Sequence, residues 1–307
     1  LATDACVRQR VSCCEARPAQ RTYMKLLRYG PLGQERPGLL DAQGQLRDLS
    51  AHLSDLTVES LGPATLAALA RLEPGSLPRI EGDPRLGLPF TGTRQFVAVG
   101  LNYVDHAAEA GMRVPQEPIL FTKAVSCLQG PNDDVRRPRK AQKMDWEVEL
   151  GIVIGQHTHY VEPEEALQRV AGYVLVDDLS ERAFQTERGG TWDKGKGCES
   201  FGPVGPWLVT PDEIKDVQAL GLWLDVNGER MQTGNTASMI FDCATLVSYI
   251  SQFMQLLPGD IITTGTPPGV GMAKTPPRFL KEGDLVELGI EGLGQQRHRV
   301  IAWDHGR

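Results

Sequence analysis

The alternation of acidic and apolar positions is sharpest at Asp145-Trp146-Glu147-Val148-Glu149-Leu150, which runs on into the β-branched stretch Gly151-Ile152-Val153-Ile154. A side-chain period of two predicts a strand here, with Asp145, Glu147 and Glu149 on one face and Trp146, Val148 and Leu150 on the other. Further strands are predicted over residues 95–100, 118–123, 172–176, 220–226, 284–290 and 298–302. Turn residues at Asp41-Ala42-Gln43-Gly44 and Asn227-Gly228 predict two hairpins. Helices are predicted over 64–72, 105–110, 163–170 and 180–188, and after Asp242, where Leu246, Ile250, Phe253 and Leu257 form an apolar stripe. Many strands and few long helices point to an α+β, mostly-β fold rather than a doubly wound parallel sheet.

The same pattern divides the chain. Residues 1–23 carry Arg and Cys without periodicity and are expected to lie outside the fold, as read-through ahead of a start at Met24 or as an organelle-targeting peptide. Residues 24–92 form a small N-terminal α/β module with a linker rich in Pro and Gly from residue 74 onward, and 93–307 form the main domain.

Composition removes several partners. The chain has 307 residues, 32 basic and 39 acidic, for a net charge of −7. Its first 23 residues hold four Arg and two acids, so the remainder stands at 28 against 37, or −9. That surplus argues against a nucleic acid or an anionic membrane. No apolar run approaches the roughly 20 residues of a membrane-spanning helix. Three of the six cysteines lie in the first 23 residues, and Cys127, Cys198 and Cys243 are scattered with no Cys-x-x-Cys pair, so a reducing, cytoplasmic setting is expected.

The acidic face is the first candidate for chemistry. Buried carboxylates cost several kcal/mol each unless paired or bound to a metal, and neighbours on one face repel. Glu147 and Glu149 therefore read as two ligands of a cation, the alternative being an edge strand with a solvated acidic face. Asp178, at the end of an apolar strand, supplies a third oxygen ligand, and such a hard set suits Mg²⁺, Mn²⁺ or Ca²⁺. His106 and Glu109, at i and i+3, fit a general base oriented by a carboxylate, or an ordinary surface pair. Lys196, on the Gly-rich stretch Lys194-Gly195-Lys196-Gly197, is a candidate for holding an oxyanion, if it is not merely solvated. Gly265 to Gly271 offers backbone N–H groups to a carboxylate, or is only a turn.

Taken together, Asn102-Tyr103-Val104-Asp105-His106-Ala107-Ala108-Glu109, Asp145 to Leu150, Asp178-Leu179-Ser180-Glu181-Arg182-Ala183-Phe184-Gln185, Gly195-Lys196 and Gly265-Thr266-Pro267-Pro268-Gly269-Val270-Gly271 resemble, in content and order, the fumarylacetoacetate hydrolase family. The small module resembles the branch often named ureidoglycolate lyase or diketo-deoxy-sugar-acid hydrolase. The resemblance implies a mixed β-roll and a homodimer. It implies Mg²⁺ or Mn²⁺ on Glu147, Glu149 and Asp178, with Ca²⁺ possible in crystals. It also implies a His106–Glu109 dyad on a lid, Lys196 and Gln185 in the pocket, and Thr266 beside the substrate carboxylate. Tyr103, Arg182 and Gly265 are the other candidates for substrate contact. Ala183 stands where many relatives carry an acid.

The implied reaction is metal-dependent hydrolysis of the C3–C4 bond of a 2,4-dioxo acid, an acylpyruvate or a diketo-deoxy sugar acid, to pyruvate and a carboxylic acid. A sugar-derived chain beyond C4 is the first expectation. A ureidoglycolate lyase, or an isomerase or decarboxylase using the same metal–enolate site, is the alternative within enzymes. A non-catalytic acid-binding protein and a closed structural Ca²⁺ site are the alternatives outside them.

Overall fold

A computed structural model describes residues 24–109 and 111–306, so the expectation for residues 1–23 falls outside it. Its spine is a nine-stranded sheet in the order Leu46–Asp48, Arg36–Leu40, Lys25–Tyr29, Leu208–Val209, Val170–Asp177, Val148–Ile154, Ile261–Thr263, Phe96–Gly100 and Ile119–Thr122. The sheet thus runs on into the N-terminal module through the antiparallel pairing of Lys25 and Leu26 with Val209 and Leu208. Every residue of Val148–Ile154 and of Val170–Asp177 is buried, as expected of central strands covered on both faces. A second, five-stranded sheet covers them, and its strands Gly221–Val226 and Leu285–Ile290 pack on this pair. Leu222, Leu224 and Val226 point into the shared core, and the turn to the next strand is made by Asn227 and Gly228, both at positive φ. The mostly-strand α+β class predicted from periodicity is the class observed. Among the described residues no helix is long and apolar enough to cross a membrane.

Four elements differ from their predicted form, each for a local reason. The acidic stretch is not one strand. Met144–Asp145 pairs with Ser180–Glu181, the ladder breaks at Trp146 and Glu147, and Val148–Ile154 then pairs with Val170–Asp177. The break is held by polar contacts outside the ladder: Glu147 N–H donates to Asp177 Oδ1 (3.1 Å) and Asp178 N–H donates to Glu147 O (2.9 Å). The predicted helix over 180–188 shrinks to Arg182–Thr186, capped by the Glu181 carboxylate, because Ser180–Glu181 is taken into that short ladder. Lys196 lies not on an open loop but at the end of a short helix, Asp193–Lys196, and is buried. The helix after Asp242 stops at Ser251, so Phe253 leaves the stripe and stands 64% exposed.

Candidate active site

The strand break and the end of the neighbouring strand bring Glu147, Glu149 and Asp178 together: one carboxylate oxygen from each lies within 4.8 Å of the others. All three are buried, at 6%, 1% and 0% exposure, which rules out a solvated acidic edge. Cations surround two of them. Lys196 Nζ lies 2.6 Å from Glu147 Oε2 and 2.6 Å from Asp178 Oδ2. Arg182 holds Glu147 Oε1 at 2.5 Å and Asp145 Oδ2 at 2.9 Å. Lys123 Nζ lies 2.6 Å from Asp178 Oδ1. Among the described residues no ion pair reaches Glu149, whose Oε2 accepts only the Gly265 N–H (2.9 Å).

The electrostatic consequence is uneven. Burial alone would raise the Glu147 carboxyl, but the charges of Arg182 and Lys196 outweigh it and bring it down to about 2. For Glu149, burial and then the charges of Asp178 and Glu147 push the carboxyl well above its ordinary range. Burial would lower the Lys196 ammonium, and Asp178 and Glu147 raise it instead. Four carboxyl groups, on Asp145, Glu147, Glu149 and Asp178, face three cations, on Lys123, Arg182 and Lys196, so one carboxyl, Glu149, is left without a counter-charge when ionised. A hard divalent cation fits this donor set: three oxygens converge, and one of them lacks a counter-charge.

Backbone amides from residues 265–271 serve the chain's own acids. Gly265 N–H goes to Glu149, Gly269 N–H to Glu109 (3.0 Å), and Gly271 N–H to Asp145 Oδ1 (2.6 Å). The carboxylates that approach these three amides thus come from within the protein. Glycine is required at Gly265 on two grounds, φ of +92° and a Cβ that would come within 2.8 Å of Asn102 Cβ. Asn102 in turn donates to Thr264 O (2.8 Å) and Phe241 O (3.0 Å), tying the chain after the strand Phe96–Gly100 to this loop.

That tie places the helix Val104–Glu109. His106 Nδ1 lies 3.0 Å from Glu109 Oε2, and Glu109 is anchored by Gly269, so the pair is more than a surface contact within one helix. His106, Glu109, Glu147, Glu149, Arg182, Gln185, Lys196 and Thr266 line one cavity of about 360 Å³. Two candidates stand behind its wall. Tyr103 is fully buried, and its hydroxyl has no hydrogen-bond partner among the described residues. Gly265 contributes only its contact to Glu149. Thr266 lines the cavity, but its hydroxyl donates to Val148 O (2.9 Å) and accepts from Gln232 Nε2 (2.8 Å), so its proton is directed inward.

Two residues were missed from the sequence. Lys123 directly follows the strand Ile119–Thr122, and a Lys at that place, 2% exposed, needs an acid. Gln232 is fully buried on the second sheet, accepts from Val148 N–H (3.0 Å), and donates to Thr266 and to Pro267 O (2.8 Å). Only its place in a hairpin strand could have pointed to it. Gln232→Ala would leave the Val148 N–H and the Pro267 carbonyl buried without partners. A loss of about 2–6 kcal/mol of stability is expected, at about 1–3 kcal/mol per orphaned group. Urea unfolding of the variant checks this, and an unchanged midpoint would remove Gln232 from the site's framework.

The chain is similar to known proteins over most of its length. A family profile described as "Fumarylacetoacetate (FAA) hydrolase C-terminal" matches residues 95–301. A protein of Burkholderia cenocepacia whose name goes no further than hydrolase is 57% identical over 278 residues, 90% of this chain and 99% of its own. The structure of a fumarylacetoacetate hydrolase from psychrophilic Exiguobacterium antarcticum superposes with a TM-score of 0.80 at 34% identity, covering 91% of this chain and 99% of that one. A maleylpyruvate hydrolase from Sphingobium sp. SYK-6, in complex with manganese(II) and pyruvate, gives 0.76 at 27% identity over 91% and 99%. A 2-hydroxyhepta-2,4-diene-1,7-dioate isomerase from Mycobacterium marinum gives 0.70 at 30% identity over 92% and 100%.

Proposed function

This chain belongs to the fumarylacetoacetate hydrolase family, and from that premise we propose that it is a metal-dependent hydrolase cleaving the C3–C4 bond of a 2,4-dioxo acid to pyruvate and a carboxylic acid. The observation that carries this reading is the shared cavity: Glu147 and Glu149 line the same space as the His106–Glu109 pair, and the buried Asp178 carboxylate converges with theirs. The solved relative that holds manganese and pyruvate supports both the ion class and the product.

When bound by the three carboxylates, Mg²⁺ or Mn²⁺ supplies Lewis-acid stabilisation for the charge that builds up as the C–C bond breaks. The remaining steps belong to the protein. Glu109 accepts the His106 Nδ1–H, which fixes the imidazole and leaves Nε2 as the basic nitrogen. His106 Nε2 takes a proton from the water that attacks C4. The electron pair of the C3–C4 bond goes to the pyruvyl fragment, and C3 takes up a proton to complete pyruvate. Lys196 Nζ, fixed between Glu147 and Asp178, offsets negative charge next to this fragment.

An isomerase is the second reading, favoured by the Mycobacterium marinum relative. Isomerisation, like a lyase reaction, consumes no water. Turnover in ¹⁸O-labelled water is therefore expected to place one label in the carboxylic acid released from C4. Product without label would transfer the site to the isomerase or lyase class. EDTA is expected to abolish pyruvate formation, and Mn²⁺ or Mg²⁺ to restore it. The family resemblance also supports a homodimer, for which light scattering on the purified protein should give about twice the chain mass of 33.6 kDa.

A further inference from the structure

Resting on the dioxo-acid reading, the cavity also selects what hangs on C4. We propose that this substituent is an uncharged apolar group, best a flat aromatic ring, so that the substrate class is 4-aryl-2,4-dioxo acids rather than dioxo dicarboxylates or the sugar-derived acids expected from sequence.

Two independent features carry this. The first is that the basic groups on the cavity wall are already matched. Arg182 is held by Asp145 and Glu147, Lys196 by Glu147 and Asp178, and His106 by Glu109. Among the described residues no other basic group lines the cavity. A second carboxylate on the substrate would enter without a partner, which is strongly unfavourable away from water. Substrate hydroxyls gain no proton from the threonines, and the Gln185 carbonyl is already engaged. Gln185 Oε1 accepts from Arg182, and Thr186 and Thr266 direct their protons to the Arg182 and Val148 carbonyls.

The second feature is a built aromatic wall. Trp192 meets Phe121 edge to face, with ring centroids 5.2 Å apart at 63°. The indole lies so close over Gly100 that a Cβ there would come within 2.7 Å of Trp192 Cζ3. Glycine at the end of this strand is what lets the ring settle against the backbone. Lys196 Nζ sits 5.2 Å from the Phe121 ring centroid, so the aromatic wall begins beside the ammonium that braces Glu147 and Asp178. A group attached to C4 of a substrate held at the acids therefore extends along Phe121 and Trp192, with Leu101, Met112 and Met272 completing the apolar lining. Flat rings favour such edge and offset contacts.

The test separates this inference from the cleavage reading by using acids that cannot be cleaved. Mn²⁺-loaded wild-type protein is titrated by calorimetry with 2-oxo-4-phenylbutanoate, 2-oxoglutarate and 2-keto-3-deoxygluconate, which differ in the substituent beyond C3. At least tenfold tighter binding of the phenyl acid is expected. Equal or tighter binding of either polar acid overturns the inference. Trp192→Arg places a cation on the wall and is expected to narrow or reverse the preference for phenyl over 2-oxoglutarate; an unchanged ratio in a folded variant also overturns it. In parallel, 4-phenyl-2,4-dioxobutanoate is assayed for pyruvate release. If the phenyl acid binds tightest and no dioxo acid yields pyruvate, the cleavage reading fails while the selectivity of the cavity stands.

Discussion

Glu149→Gln is expected to make the metal-free protein more stable while removing its activity. Glu149 is 1% exposed, accepts one backbone N–H and faces Asp178 and Glu147 with no counter-charge of its own. Its carboxyl is raised in the folded state, so the folded chain binds more protons than the unfolded chain above the ordinary carboxylate range. The penalty is absent below the unfolded value and is present in full above the folded one. Glutamine keeps an oxygen for the Gly265 N–H and removes the charge. The variant should therefore unfold with the wild type at low pH and above it as pH rises, by about 1 kcal/mol or more, or roughly 2–4 °C. Added Mn²⁺ should reverse the order by raising the wild type and not the variant. Loss of a ligand should remove several kcal/mol of stabilisation, a fall of about 10³-fold or more in kcat/KM. Calorimetric melts from pH 4 to pH 8, with and without Mn²⁺, check the sign. A variant less stable than the metal-free wild type at pH 8 would show that Glu149 is not the strained member of the trio.

His106→Ala should act on rate rather than on affinity. The side chain lies on an exposed helix, and among the described residues its ring is engaged only by Glu109 and gives no hydrogen bond to Glu147, Glu149 or Asp178. Stability should change little. Removing a general base should lower kcat by about 10²–10⁴-fold, with KM within a few-fold of wild type. Glu109→Gln should lower kcat less, since imidazole remains but loses the carboxylate that orients it. Steady-state kinetics on a cleaved dioxo acid read both. A His106→Ala enzyme that keeps its kcat would place the water-activating base elsewhere.

The difference between what sequence and structure disclose is physical. Carboxylates alternating with apolar residues could be read in the chain because a buried acidic face needs a reason, and the structure gives one in the convergence of Glu147, Glu149 and Asp178. The His106–Glu109 pair could be read because i, i+3 neighbours meet within one helix turn. What could not be read depends on contacts between distant segments. The break at Trp146–Glu147 follows from ladder partners near residue 180 and from Asp177. Lys123 and Gln232 reach the site across the fold, from 55 and 54 positions away from Asp178, and no local pattern marks either. The fate of the amides at Gly265, Gly269 and Gly271 was equally hidden, since each is claimed by a carboxylate more than 100 residues earlier. Local chemistry was legible, whereas the partners that neutralise it were not.

The most direct measurement is diffraction at the manganese absorption edge from crystals grown with Mn²⁺. One anomalous peak bounded by the carboxylate oxygens of Glu147, Glu149 and Asp178, with coordination left over on the side of the cavity, is the predicted result. A peak elsewhere on the molecule, or none at saturating Mn²⁺, would contradict the assignment of this site as a metal centre.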